Sequence, residues 1–420
     1  NCEHLIDACA QLCDSLLRVC PDLRIIASSR EALGIEGENA YRVPSLSLPD
    51  PKSGLSTIEE SEAVKLFMER AIAMLPEFEI TEFNTSAAAQ ICQRLDGIAL
   101  AIELAASRVK MLKVEQIAAR LDDAFRLLTG GSRTALPRQQ TLRALIDWSY
   151  NLLSEEERTV LRSLSVFMGG WTLEAAEAVC DNAEILDLLT HLVDKSLVAI
   201  DREHGDEVRY YLLETIRQYA REKLAESGES EAIRERHARW CVDLAERAEP
   251  NLRSHDQIEW LDRMEREHDN FRAALEWSLN NNVDLGLRIA NSLIWFWDIR
   301  DHAPQGLQYF EKLLAVGPLE PSPLHARSFA RASWVAMIAR NEQQLAALSE
   351  AGVTMSREID DLEGLAFSLG MSAIAPYFRG DNDRALPLAE QALAVSEEAG
   401  IKWFKQRILS AVGYISQAQG

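Results

Sequence analysis

No run of apolar residues in this chain approaches the roughly 18 that a membrane span requires, and no signal peptide is recognisable at its start. Positive charge is scarce. Lys and Arg total 44 against 66 Asp and Glu, a formal net charge of −22. Such a surface excludes non-specific binding to nucleic acid or anionic lipid, both of which are held by cations. Aromatic residues make up only 7%, too few to build stacking platforms for single strands. The seven cysteines, Cys2, Cys9, Cys13, Cys20, Cys92, Cys180 and Cys241, contain no Cys-x-x-Cys pair. Only His4 lies near the first four, so no metal site is expected there. Interleaved with Leu5, Leu12, Leu16 and Leu17, they read as small hydrophobes in a reducing compartment. Neither a G-x-S-x-G nucleophile signature nor a G-x-x-x-x-G-K-[ST] phosphate loop occurs. The expectation is a multidomain protein of the cytoplasm.

What is present is helix. With 420 residues, 47% hydrophobic and 26% charged, the chain has the composition of a globular protein of several domains. It opens on Asn1 inside a helix-like pattern, which leads us to expect a piece cut from a longer chain at both ends. Residues 2–19 read as a helix, followed by short apolar β-runs at 24–29 and 40–43. Helical periodicity then covers 61–75, 85–95, 99–110 and 114–128, and Gly130, Gly131 and Pro137 mark a linker. Helices at 141–152, 155–167, 172–179 and 184–195 precede two β-like runs, 196–200 and 208–212, joined by a turn at 203–206. Short helices closed by a hairpin outline a winged helix. Beyond Pro323, Arg340-Asn-Glu, Arg379-Gly-Asp-Asn and Gln419-Gly420 mark similar turns about 39–40 residues apart, the mark of a helical-hairpin repeat of the tetratricopeptide kind.

Two segments carry candidate chemistry. Ile25-Ile-Ala-Ser-Ser-Arg30 places Ser29 and Arg30 at the end of an apolar run, the edge of an α/β sheet where phosphate ligands bind. A sheet-edge arginine paired with Glu31 or Glu36 explains the same residues structurally. Leu95-Asp-Gly-Ile-Ala-Leu-Ala101 turns one helix into the next through Gly97, and a plain helix–helix corner accounts for it. His237, His255, His268 and His302, well separated along helices, read as structural, and Trp295-Phe-Trp297 as core.

Taken together, Asn1-Cys-Glu-His-Leu5, Ser28-Ser-Arg-Glu31, Gly97-Ile-Ala-Leu-Ala101, Pro137-Arg-Gln-Gln-Thr-Leu142 with Asp147-Trp-Ser-Tyr150, and Leu212-Leu-Glu-Thr-Ile-Arg-Gln-Tyr-Ala220 resemble, in order and spacing, segments of the signal-transduction ATPases with numerous domains (STAND), the group containing the NB-ARC switches. The nearest subgroup is that of bacterial regulators carrying LuxR-type, SARP-type or cyclase modules. The likeness covers about residues 1–320. It implies a mainly α, multidomain fold. Residues 1–50 would be the C-terminal remnant of a P-loop α/β sheet, 51–130 a helical lid, 131–228 a winged helix, 229–322 a helical linker domain and 323–420 a TPR-like superhelix.

By the same resemblance Ser29 and Arg30 would sense the γ-phosphate, and Gly97, Ile98, Ala99 and Leu100 would lie against adenine. Leu213 and Glu214 stand where the family's "MHD" His and Asp contact ADP. Ala99 replaces the proline of "GLPLA", and Leu213 lacks the histidine's hydrogen bond. The phosphate loop and Walker B aspartate would precede Asn1, so this segment by itself should neither hydrolyse ATP nor hold nucleotide tightly. The intact protein would use ATP or ADP with Mg2+. Its helical repeats would receive a protein or small-molecule inducer, and nucleotide would govern self-association. The helix at 184–195 carries Glu184, Asp187 and Asp194 against Lys195, so no direct contact with nucleic acid is expected from it. A nucleotide-independent helical-repeat scaffold is the competing expectation.

Overall fold

The computed structural model describes residues 2, 5–20, 22–29, 32–41, 43–49, 58, 60–81, 84–121, 142–201, 207–316, 320–401, 408–410, 412–413 and 417. The chain divides into two compact units, one of Asn1–Val166 with Gly170–Ser230, the other of Phe167–Gly169 with Glu231–Gly420. No helix among the described residues is long and apolar enough to cross a membrane. The expected linker at 130–140, the hairpin turn at 203–206, Arg30 and Gln419-Gly420 lie outside the described residues.

In the first unit, helix α1 (Ile6–Val19) is followed by α2 (Glu62–Met74), α3 (Thr85–Arg94), α4 (Ala99–Ala106), a 3-10 turn (Ser107–Lys110) and α5 (Val114–Arg120). Helix α2 packs on α3 and α4, and α3 on α5. Between them Ala63, Phe67, Ile91, Leu95, Ile102 and Ile117 are buried. The expected strands at 24–29 and 40–43 do not form. Among the described residues of both segments there is no ladder, and Ile26 is fully exposed. A β-run becomes a strand only when a neighbour takes up its backbone groups, and no described segment does so here.

The second half of this unit contains α6 (Leu142–Asn151), α7 (Glu155–Leu164), α8 (Leu173–Cys180), α9 (Ile185–Asp194), β1 (Ala199–Asp201), β2 (Arg209–Tyr211) and α10 (Glu214–Ser227). Helix α7 is the hub, with α8, α9 and α10 packed against it. It starts sharply because Ser154 and Glu157 form a reciprocal capping box. Strands β1 and β2 pair antiparallel, Ile200 opposite Tyr210, and Trp171 bridges to Tyr210. This is the expected winged-helix outline. Tyr219 fixes α10 to α6 by donating its hydroxyl to Asp147 at 2.6 Å.

The second unit is helical throughout its described residues. It contains α11 (Ser230–Asn251), α12 (Gln257–Arg266), α13 (His268–Asn281), α14 (Val283–Ile299) and α15 (Ala303–Leu314). Four hairpin helices follow: α16 (Pro323–Ile338), α17 (Glu342–Glu358), α18 (Leu362–Phe378) and α19 (Asn382–Glu398). Trp295 and Trp297 are buried, as expected of core. Gly306 lies flat on the Trp297 ring, where any Cβ would overlap it. Each hairpin helix ends on a residue with positive φ, at Arg340, Asp360, Gly380 and Gly400. Those turns recur every 20 residues (380 − 360), so a hairpin repeats every 40, in line with the sequence period.

One ion pair ties the hairpins to α11. Arg331 of α16 donates from Nη1 to Glu249 of α11 at 2.5 Å and to the carbonyl of Asn291 in α14 at 2.8 Å. Burial pushes the guanidinium pKa down, and Glu249 opposes that shift. Removing one member of such a pair leaves a charge buried and unpaired, a cost of about 3–5 kcal/mol, whereas an apolar pair of similar volume is often neutral. Glu249→Ala should therefore lower the denaturation midpoint of the second unit, followed by tryptophan fluorescence, by that amount. The double variant Glu249→Leu/Arg331→Met should recover most of it.

Candidate functional site

The Gly97 segment is a reversal built from two consecutive left-handed residues, Asp96 at φ 53° and Gly97 at φ 66°. The Asp96 amide donates to Gln93 at 2.9 Å and the Gly97 amide to Cys92 at 3.2 Å, closing the end of α3. The Gly97 carbonyl accepts from Leu46 at 3.1 Å, and a Cβ on Gly97 would strike the Leu46 carbonyl oxygen. Only glycine fits. Ile98 is the residue before α4 and Ala99 its first residue. That first helical position suits proline, whose missing N–H would have no partner there. Ala99 and the proline of "GLPLA" therefore satisfy the same backbone. Leu100 is half-buried and Ala99 exposed.

Leu213 and Glu214 start α10. Leu213 is its N-cap and offers no side-chain acceptor, so the first amides need a partner from elsewhere. Asp96 supplies it. Its carboxylate faces the backbone amides of Glu214 and Thr215, while Oδ2 is buried without a hydrogen bond. Burial pushes its pKa up to about 7, the two amides pull it down, Glu214 raises it and Arg217 lowers it. Glu214 itself is engaged by Arg217, Nε to Oε2 3.0 Å.

The structure thus joins two of the segments singled out in the sequence, through a residue that was not singled out. The available signal was an acid immediately before a turn glycine, at a position where Asp tolerates positive φ. Ser29 is exposed in irregular chain. Beside the corner lies a groove of about 760 Å3, lined among others by Arg94, Leu121, Glu214, Arg217, Arg221 and Glu222. Its charges are mixed, and none of residues 97–100 lines it.

Helix α9 has the place of a groove-reading helix. Ile185, Leu188, Leu189 and Leu192 are buried, and its following residue, Lys195, reaches Glu157 at 2.7 Å. The Glu157 side chain is 4% exposed, and His191 is 3.5 Å from the same carboxylate.

Comparison with known proteins fits this geometry. A family model described as a winged helix-turn-helix domain matches residues 153–225. Residues 153–225 are a winged helix-turn-helix domain. The whole chain is similar to a Mycobacterium tuberculosis (strain ATCC 25618 / H37Rv) protein whose name assigns it provisionally to the HTH-type transcriptional regulators, with 41% identity over 92% of this chain and 45% of that protein. An uncharacterized protein of the same strain is 44% identical over 56% of this chain and 59% of its own length. The chain therefore spans about half the length of the curated relatives it matches. Among solved structures, a STAND protein with a tetratricopeptide repeat sensor from Pyrococcus horikoshii covers 88% of this chain and 57% of its own, at 14% identity and a TM-score of 0.29. That match is too loose to carry an argument about arrangement. With the winged helix preceded by a helical segment and followed by helical hairpins, the segment order is STAND-like.

The Asp96 contact has a pH signature. An unfolded Asp titrates near 3.9, while in the fold this group is pushed up to about 7. Between those values the folded chain holds the extra proton, so stability falls as pH rises. Asp96→Asn keeps an acceptor and cannot ionise. Its melting midpoint relative to wild type should rise steadily from pH 5.5 to 7.5; a constant difference would mean that Asp96 does not carry the proton.

Proposed function

We propose that this chain is the middle portion of an ADP/ATP-controlled signalling switch that regulates a transcriptional or other output module. The observation that carries the reading is the Asp96–Gly97 corner seated on the start of α10. One buried carboxylate holds the helical segment 62–120 to the winged helix-turn-helix domain, and Gly97, Ile98, Ala99, Leu100, Leu213 and Glu214 gather around it.

A contact of this kind suits a switch. It is a single polar clasp between two helical bodies, and a ligand that binds one arrangement better than the other opens or closes it. In the intact protein ADP would favour the closed arrangement. Exchange for ATP with Mg2+, sensed by Ser29 and Arg30 and biased by an inducer on the hairpins α16–α19, would release it and permit self-association. The similarity to relatives named for transcriptional regulation supports a regulatory output. Lys195 is already neutralised by Glu157, and α9 is otherwise acidic, so we assign the winged helix-turn-helix domain to the clasp and not to reading DNA.

The test uses a version of the protein extended upstream to include a Gly-Lys-Ser/Thr loop. Limited proteolysis across 130–140 should proceed at rates that differ several-fold between ADP and a non-hydrolysable ATP analogue. Equal rates, or no nucleotide binding by the extended protein, would leave the nucleotide-independent scaffold as the better description.

A further inference from the structure

The second unit contains a cluster that the switch does not use. Glu265 lies in the last turn of α12, His268 is the first residue of α13, and His302 is the residue before α15. One donor atom from each of the three lies within 4.8 Å of the other two. The imidazole rings of His268 and His302 are 4.3 Å apart between centroids, and Phe296 packs against both, at 5.6 and 5.4 Å. The Nε2 atoms of both histidines are buried and make no hydrogen bond. The Nε2 of His302 is 3.4 Å from Oε1 of Glu265.

Two buried imidazole nitrogens without hydrogen bonds, beside one carboxylate, are costly as they stand. Each unsatisfied polar atom of this kind costs about 1–3 kcal/mol. Protonating both rings would answer one orphan by creating two adjacent cations. Burial, and then the neighbouring His302, hold the His268 pKa down, which leaves the neutral ring and its lone pair. A pair of neutral imidazoles and a carboxylate is the donor set of a transition-metal site. Mg2+ and Ca2+ prefer oxygen donors, whereas Zn2+ accepts this mixture with three protein ligands and leaves a fourth position for water. Zn–N and Zn–O distances near 2.0–2.2 Å put tetrahedral donors about 3.3–3.5 Å apart. The pair formed by His302 and Glu265 already has that spacing, and closure elsewhere of about an ångström completes the set.

The backbone presents the three residues together. Glu265 and His268 are three apart across the break between α12 and α13, and His302 follows Asp301, which turns the chain at φ 61°. The His302 amide is anchored to the Trp297 carbonyl at 2.9 Å. Glu265 is on the exposed side of the cluster, which gives an ion a path in from solvent. The wide spacing of these histidines in sequence concealed the site, because the three ligands come from two distant parts of the chain.

We propose that Glu265, His268 and His302 form a zinc site that staples α12, α13 and the start of α15. The test is a titration of the metal-stripped 420-residue chain with Zn2+ against a chromophoric chelator, with Co2+ as a spectroscopic stand-in. One equivalent should bind. The cobalt complex should show ligand-field bands without a thiolate charge-transfer band, and the metal should raise the melting midpoint of the second unit. His302→Gln and His268→Asn should each weaken binding at least tenfold, with Glu265→Gln weakening it less. The metal-free melting curves of the three variants report whether each remains folded. Absence of binding overturns the proposal. So does a bound equivalent that survives both histidine substitutions, or a thiolate band, which would assign the metal to the cysteines near the N-terminus.

Discussion

A carboxylate that leaves its own turn to serve another helix is the constraint around which the first unit is organised. Asp96 cannot be solvated where it lies, and the first amides of α10 have no acceptor of their own, since Leu213 supplies none. Each defect answers the other. Because the exchange uses backbone amides, it does not depend on the side chain at 214, and Glu214 is left to pair with Arg217. The absence of a "MHD" histidine at Leu213 therefore does not leave the start of the helix unsatisfied. The same corner needs glycine at 97, because the Leu46 carbonyl occupies the space of a Cβ. The conformation that brings Leu46 and Gly97 together also aims Asp96 at α10.

How much of this could be read in the sequence depends on the range of the interaction. Helices such as α2, α7 and α9 were legible because periodicity and caps are local: Ser61, Ser154 and their partners lie within three residues of one another. The 40-residue hairpin period was legible for the same reason, since each turn carries its own punctuation at Arg340, Asp360, Gly380 or Gly400. The β-runs at 24–29 and 40–43 misled because a strand is a property of its neighbours, and apolar alternation says nothing about whether a partner is present. Asp96 was passed over because its meaning is supplied by Glu214 and Thr215, and His268 and His302 because theirs is supplied by each other. Site residues met through long-range contact carry little local signature.

Buried polar groups in the two units follow opposite economies. Arg331, with Glu249 and Asn291, and Asn270, which accepts from the Met168 amide at 2.7 Å and donates to Glu267 at 2.6 Å, are satisfied within the protein. Networks of this sort fix one packing arrangement. Asp96 Oδ2 and the two imidazole Nε2 atoms are not satisfied by any protein group. An orphan of this kind is costly to keep, and the sites where it persists are the ones whose state a proton, an ion or a conformational change alters.

The winged helix-turn-helix domain shows how the same reasoning bears on its role. For α9 to enter a DNA groove, Lys195 would have to leave Glu157, stranding a carboxylate that is 4% exposed. It would also bring Asp187 and Asp194 toward phosphates. The buried carboxylate would lose its cation at the moment the helix gained an electrostatic penalty, so both changes oppose binding. A helix whose cation is committed inward and whose apolar face is already packed has little left to offer a polyanion. What remains available to the domain is the start of α10, and there the group that meets it is Asp96.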